Sequence, residues 1–298
     1  MSKTTSRAIS PNVEEVLFRS DNVFLCMLVN RSMQCMRVID FRAGALPAKR
    51  LCVDSIARKE GVAKVLTFVE KDEVSTWTKI GFTREGTVPG FYKRSDGYLC
   101  GYSVQPTDHE KTAEANTSRA EQTINHAKKA AKELGLKPNK KLQFQWLSAE
   151  EAQALCNKAR KSEGILPTFE NFGRDAERIY LHSQVKNSKG KGLLLSAEFQ
   201  DWFGHALVEL QLRPNAQDAE IAHLANTLLH LNETLCDKKI VSAFAFAPSD
   251  DKALATAYTA AGYRKTGLLA RAIPRDKEQV DAILWSRKLA NPVADEED

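Results

Sequence analysis

The sequence lacks several features that would place it in a familiar class. No apolar run approaches the ~20 residues that cross a bilayer, and the first fifteen residues contain no apolar core of a signal peptide. The six cysteines form no Cys-x-x-Cys pair, and the six histidines show no metal-ligand spacing. P-loop, dinucleotide-binding and Ser/His/Asp motifs are absent as well. We therefore expect a cytoplasmic protein with reduced thiols and no metal site.

The charge is modest and ordinary for a globular protein. The net charge is +5, with 43% hydrophobic and 27% charged residues. The densest basic stretch spans 126–141, and no aromatic residues that could stack on bases lie among its lysines. We interpret it as a solvated helix face and linker, and expect neither a nucleic-acid nor a membrane partner.

The length of 298 residues and the changes in composition predict two domains. A polar stretch without periodicity, 106–118, is interpreted as the linker, and Ser118 as the cap of a basic helix that follows it. The predicted division is a flexible N-terminus (1–11), a first domain (12–105), a linker with the basic helix (106–139), a second domain (140–290) and an acidic tail (291–298).

Hydrophobic patterning predicts a mixed α/β (α+β) fold in both domains. The first domain shows the order β-β-β-α-β-α-β-β. The second shows β-α-α-β-β-β-α-β-α-β-β, with a helix capped by Ser148 and Glu151 and a short second helix after the Gly/Pro/Phe-rich stretch 164–173. The second order contains the first, which indicates one architecture used twice.

One motif occurs in both halves at the same place. A helix-compatible stretch ends in aromatic-x-x-x-Gly-aromatic and continues into two strand-like segments. The copies are Trp77 to Gly81-Phe82 and Tyr258 to Gly262-Tyr263, 181 positions apart. The first continues as TREGTVPGFYKRSDGYLCGYSV.

With this motif and element order, the chain resembles the GNAT (Gcn5-related N-acetyltransferase) superfamily as a tandem. The first half lacks the opening strand and two helices of that family, and its Gly-Phe-x-x-Glu-Gly is most similar to the β-lysine N-acetyltransferase branch. The resemblance implies acetyl transfer from acetyl-CoA to a primary amine of a small molecule or a protein. Such chemistry needs a base for the ammonium, an acid for the thiolate and backbone N–H groups for the pyrophosphate.

Two residues of the second half match the catalytic positions that the resemblance implies. Tyr258 stands where the family has its general acid, and the alternative is an aromatic core residue. Glu209 shares the more polar face of its strand with His205 and is the candidate base, acting through water. An exposed, ion-paired carboxylate is the alternative for Glu209.

The cofactor-binding residues that the resemblance implies fall in two loops. The second-half loop lacks the family's glycines and continues into Asp218 and Glu220, which themselves complement the helix dipole. The first-half loop has a glycine and three cations, although its spacing differs from the family's. The candidates are Leu210, Leu212, Arg213, Asn215, Ala216 and Gln217 in one half, and Arg42, Gly44, Lys49 and Arg50 in the other.

Two functions therefore stay open at this point. The first is an acyl-CoA-dependent N-acyltransferase. The second is a catalytically lapsed tandem that serves as a binding or regulatory module, favoured by the altered loops and by Trp77, whose indole cannot protonate a thiolate. Closing hairpins of this fold pair between subunits in some members, so the resemblance also allows a homodimer.

Overall fold

The computed structural model describes residues 3–20, 24–39, 46–104, 109–160, 166–169, 171–186, 192–212, 218–276 and 278–290. The first half contains Lys3–Ser10 (β1), Val13–Arg19 (β2), Phe24–Asn30 (β3), Cys35–Ile39 (β4), Leu46–Lys59 (α1), Lys64–Val69 (β5), Val74–Lys79 (α2), Thr83–Val88 (β6) and Gly97–Ser103 (β7). Among the described residues, no helix has both the length and the apolarity that crossing a membrane requires.

A long helix, His109–Leu134 (α3), connects the halves. The second half contains Leu142–Leu147 (β8), Ala149–Arg160 (α4), Glu177–Val185 (β9), Leu193–Phe199 (β10), His205–Leu212 (β11), Asp218–Asp237 (α5), Ser242–Pro248 (β12), Lys252–Ala260 (α6), Arg264–Arg275 (β13) and Glu278–Lys288 (β14).

All fourteen strands join one mixed sheet, which confirms the predicted mixed α/β class. Its order is β1-β2-β3-β4-β5-β7-β6-β13-β14-β12-β11-β10-β9-β8. Within the described residues, only β4–β5 and β11–β12 pair in parallel, and a helix connects the strands of each parallel pair, as is usual for parallel strands. The pairings from β3 to β7 recur from β10 to β14, so the two halves repeat one arrangement in reverse order across the sheet.

Two glycines lie at the centre of this repeat. Gly86 pairs with Leu99 and Gly267 with Leu284, each just after a bulge, and the two glycines pair with each other where β6 meets β13. A Cβ atom on Gly267 would lie 2.5 Å from the carbonyl oxygen of Glu85 and 2.6 Å from the Cα atom of Gly86. The halves can approach this closely only because neither residue has a side chain.

A shared aromatic core holds the halves together beyond this strand contact. Phe68 and Phe91 of the first half stack at 4.3 Å between ring centroids. Phe172 and Phe244 of the second half approach Phe68 edge-on at 5.9 and 5.7 Å. These rings belong to one buried cluster, which both halves build. We therefore expect the halves to unfold together.

The structure corrects three predictions about the elements. Residues 3–10, predicted to be flexible, form β1 by pairing along β2, although seven of the eight are exposed. Helix α3 begins at His109 within the predicted linker, so that Ser118 lies inside the helix rather than at its cap. The short helix predicted after 164–173 is absent from described residues 171–176. The capping box at Ser148 and Glu151 is confirmed by reciprocal hydrogen bonds of 2.7 and 3.2 Å.

The close contact of the two glycines generates a stability prediction. Gly267→Ala should lower the free energy of unfolding by about 1–3 kcal/mol, because the new methyl group meets backbone atoms that cannot rotate away. The neighbouring Thr266→Ala is the matched control, since the Thr266 hydroxyl finds no hydrogen-bond partner among the described residues. Denaturant unfolding of both variants gives the comparison. Equal stabilities would show that the sheet absorbs a side chain at this point.

Candidate functional site

Strands β11 and β12 part in the middle of the second half. Their parallel pairing covers only His205–Ser242, Ala206–Ala243 and Leu207–Phe244, while the strands continue to Leu212 and Pro248. Beyond the last pair, their peptide groups no longer bond to each other across the gap. The result is a V-shaped split, and the same split follows the three pairs of β4 and β5 in the first half.

A small cavity of about 60 Å³ lies at the second-half split. This volume accommodates a few water molecules or a group of the size of an acetyl. Both candidate catalytic residues line it, together with groups from the segment 166–169, strands β12 and β13, helix α6 and the turn after β3. The lining residues are Met33, Leu166, Pro167, Thr168, Phe169, Glu209, Leu210, Phe246, Pro248, Asp251, Leu254, Tyr258 and Ile273.

Glu209 lies two residues beyond the last β11–β12 pair and is 8% exposed. The alternative of an exposed carboxylate is therefore wrong. Its Oε1 accepts a hydrogen bond of 2.5 Å from the backbone N–H of Phe169. A carboxylate that accepts a backbone N–H is held in a fixed orientation, which a general base requires.

Tyr258 reaches the cavity from the second turn of α6, whose N-terminus is capped by Asp251. The ring is buried and stacks on Trp285 with 5.9 Å between centroids. Burial raises the pKa of Tyr258, and the nearby Tyr263 and Glu209 raise it further. The phenol therefore stays protonated at neutral pH. Its surroundings fit both interpretations made from the sequence, because it is a core residue and also lines the cavity with Glu209.

His205 shares the face of Glu209, as predicted, but takes part in packing. Its ring stacks on Phe91 with 3.6 Å between centroids, and its Nδ1–H donates to the carbonyl oxygen of Phe91 at 3.0 Å. Burial lowers the pKa of His205 to about 3. The imidazole of His205 is therefore uncharged at neutral pH, and it packs the second half against Phe91 of the first half.

The first half has a split but lacks the reactive groups. The matching strand registers place Ile39 at the position of Glu209, two residues beyond the last parallel pair. Trp77, at the position of Tyr258, is buried against Phe82. Neither an acid nor a base is therefore present at these positions of the first half.

The predicted cofactor residues are only partly within the described structure. Arg42, Gly44, Arg213, Asn215, Ala216 and Gln217 lie outside the described residues. Lys49 is 2% exposed, and the guanidinium of Arg50 lies 3.4 Å from the ring centroid of Tyr102. Lys49 is thus buried and Arg50 stacks on an aromatic ring, while the other cation of the predicted first-half loop, Arg42, lies outside the described residues. Leu210 and Leu212 are buried on β11.

The sequence did not indicate a groove of about 380 Å³ beside the first turns of α5 and α6. Ile221 of α5 and Lys252, Ala253 and Thr256 of α6 line one side. Helix α3 forms the other side with His126, Ala130, Glu133 and Leu134. Two helix N-termini and the exposed Lys252 favour an anion here, while the Glu133 carboxylate opposes one. The sequence predicted the helix that carries these residues, but it gave no sign that this helix lies beside α5 and α6.

Comparison with known proteins gives similarities only among solved structures. No family model and no curated protein matches the chain. Three similar structures are acetyltransferases. Ribosomal-protein-S18-alanine N-acetyltransferase from Escherichia coli is 15% identical, with a TM-score of 0.39, 53% of this chain covered and 98% of that chain. Spermidine N-acetyltransferase from Vibrio cholerae, in complex with CoA and spermine, is 9% identical, with a TM-score of 0.40 and coverage of 52% and 100%.

The third is the Microcin C7 self immunity acetyltransferase MccE in complex with acetyl-CoA and AMP. It is 16% identical, with a TM-score of 0.39, 51% of this chain covered and 98% of that chain. Each of the three thus aligns over nearly its whole length with about half of this chain.

The buried imidazole of His205 generates a pH prediction. Its folded pKa of about 3 lies below the ordinary value of 6.5, so the unfolded chain binds the proton first as the pH falls. The contribution to stability is complete above pH 6.5 and is lost as the pH falls towards 3. We expect a slope approaching about 1.4 kcal/mol per pH unit from this group.

His205→Asn retains a side-chain N–H donor for Phe91 but cannot titrate. Denaturant unfolding between pH 7.5 and 5.5 should therefore show a shallower pH dependence in this variant than in the parent. Parallel curves for the two proteins would show that His205 takes up its proton without unfolding.

Proposed function

We propose that the protein is an acyl-CoA-dependent N-acyltransferase whose chemistry resides in the second half. One observation carries this proposal. Glu209 and Tyr258, from different elements, line one small cavity at the split between β11 and β12. The positions of the first half hold Ile39 and Trp77 instead, so a single site is proposed.

The residues of the cavity suit the steps of amine acylation. Acetyl-CoA supplies the activated acetyl group. Glu209, through water, takes the proton of the acceptor's ammonium, and the free amine then attacks the thioester carbonyl carbon. As the carbon–sulfur bond breaks, the hydroxyl of Tyr258 donates its proton to the leaving sulfur, and the phenolate is reprotonated by the second proton that the acylated nitrogen releases. Because burial raises the pKa of Tyr258, the phenol carries this proton at neutral pH before the reaction begins.

We place the cofactor along the groove of α3, α5 and α6. Lys252 supplies a full positive charge for its phosphates, and the N-termini of α5 and α6 add partial positive charge, which the negative charges of Asp218, Glu220 and Asp251 partly offset. The pairing of β11 with β12 ends at Leu207 and Phe244, and farther along β11 the carbonyl oxygen of Gln211 accepts a hydrogen bond of 3.2 Å from the N–H of Leu166. The edge of β12 beyond Phe244 offers backbone groups to the amide-containing arm of the cofactor. The acceptor is a primary amine, such as the spermine bound in the Vibrio cholerae structure.

The alternative, a lapsed binding or regulatory module, is favoured by one observation. The segment 166–169 and Met33 line the cavity, whose volume is only about 60 Å³. A protein of this kind would bind acetyl-CoA or a partner without turnover.

The acid role of Tyr258 predicts the outcome of a conservative substitution. Tyr258→Phe should lower kcat on the order of 100-fold in an assay of thiol release from acetyl-CoA with polyamine or lysine acceptors. Affinity for CoA should be nearly unchanged, because the phenol acts on the leaving sulfur. Tyr263→Phe is the matched control, since that hydroxyl donates to Asn232 at 2.8 Å, away from the cavity. Full turnover of Tyr258→Phe would remove this residue from the mechanism.

Calorimetry with acetyl-CoA distinguishes the groove from the loop of the first half. Lys252→Glu should weaken binding about 10-fold, because it replaces an attractive charge beside the phosphates with a repulsive one. Arg50→Gln should have no effect, since Arg50 stacks on Tyr102. The reverse ranking would place the cofactor in the first half. Absence of binding to the parent protein would leave the regulatory alternative.

A further inference from the structure

The peptide group between Thr168 and Phe169 joins the two halves of the molecule. Its N–H donates to Oε1 of Glu209 at 2.5 Å. Its carbonyl oxygen accepts a hydrogen bond of 3.0 Å from Nδ2 of Asn30, in the first half. A single peptide plane therefore separates a side chain of the first half from the candidate base of the second.

Asn30 is held firmly in the orientation that this contact needs. It is 6% exposed and lies at the end of β3, where its backbone pairs with Val13 on one side and Cys35 on the other. Its Oδ1 accepts hydrogen bonds from the backbone N–H of Met33 at 2.9 Å and the hydroxyl of Ser32 at 2.8 Å. Because a backbone N–H can only donate, Oδ1 must face the turn, and Nδ2 must face Thr168.

The turn that Asn30 organises also reaches the cavity. Met33 is 1% exposed and contributes its side chain to the wall that Glu209 and Tyr258 line. The same asparagine thus fixes an apolar wall of the cavity through Oδ1 and the segment 166–169 through Nδ2.

We propose that Asn30 is a positioning residue, through which the first half fixes the carboxylate of Glu209 by way of the Thr168–Phe169 peptide. A hydrogen bond to the carbonyl oxygen polarises the peptide and makes its N–H a better donor to the carboxylate. The turn between β3 and β4 holds Asn30 in place, because Ser32 and Met33 of this turn donate hydrogen bonds to its Oδ1. This proposal rests on the proposed function, in which Glu209 is the base, and it assigns a role to the half that lacks its own acid and base.

Asn30→Asp tests the proposal with the smallest change. The substitution keeps an oxygen for Met33 N–H and Ser32 but replaces the donor to Thr168 by an acceptor. We expect kcat to fall about 10-fold, with the KM for acetyl-CoA unchanged, because the base loses its fixed orientation while the cofactor groove is untouched. The backbone amide proton of Phe169 should move upfield in the NMR spectrum, as its hydrogen bond to Glu209 weakens.

Two further variants complete the experiment. Asn30→Thr, which keeps an oxygen close to the turn but cannot reach Thr168, gives the same test if Asn30→Asp does not fold. Gln279→Ala removes another hydrogen bond between the halves, that of 2.5 Å from Gln279 to Gln34, and should change neither readout.

The two readouts separate the failure of this proposal from that of the proposed function. An unchanged Phe169 resonance and unchanged kcat in a folded Asn30 variant would overturn the positioning role. A parent protein that binds acetyl-CoA but acylates no amine would overturn the proposed function. The NMR shift would then still measure whether Asn30 holds the Glu209 carboxylate.

Discussion

The parting of β11 from β12 is the constraint on which the candidate site depends. The two strands pair with each other only as far as Leu207 and Phe244, while β11 goes on pairing with β10 and β12 with β14. A continuous ladder would bury the peptide groups that the split leaves for other partners. Glu209 lies just beyond the last pair, and Tyr258 comes from the helix that follows β12. The small cavity between them exists because the sheet opens at this point.

The repeated architecture has a different role in each half. When the two halves are compared by strand register, Ile39 occupies the position of Glu209, and Trp77 occupies that of Tyr258. The first half therefore has the split between its parallel strands without the acid and base at these positions. Its contribution is instead to the shared aromatic core and to the wall of the second-half cavity, through Met33. The halves are held together by packing, through the glycine contact between β6 and β13 and the aromatic core that contains the stacked rings of Phe68 and Phe91.

Much of the fold could be predicted from local patterns. Apolar periodicity located β2 to β7 and β8 to β14 in outline, and the capping box at Ser148 set the start of α4. The patterns failed where local sequence carries little apolar signal. Strand β1 is polar and almost fully exposed, and it is ordered by its backbone bonds to β2. The first turns of α3 lack an apolar stripe, and buried Ala120, Thr123 and Ala127, further along, pack the helix onto the protein.

The sequence by itself determined most of the strand and helix order, the repeated glycine motif and the presence of Glu209 and Tyr258 in the same half. Only the tertiary structure decided that Lys49 is buried and that Arg50 stacks on Tyr102. Only it brought Asn30 to Thr168, 138 positions away. The physical reason is that periodicity and capping act over a few residues, whereas these contacts depend on how two distant segments approach each other across the sheet.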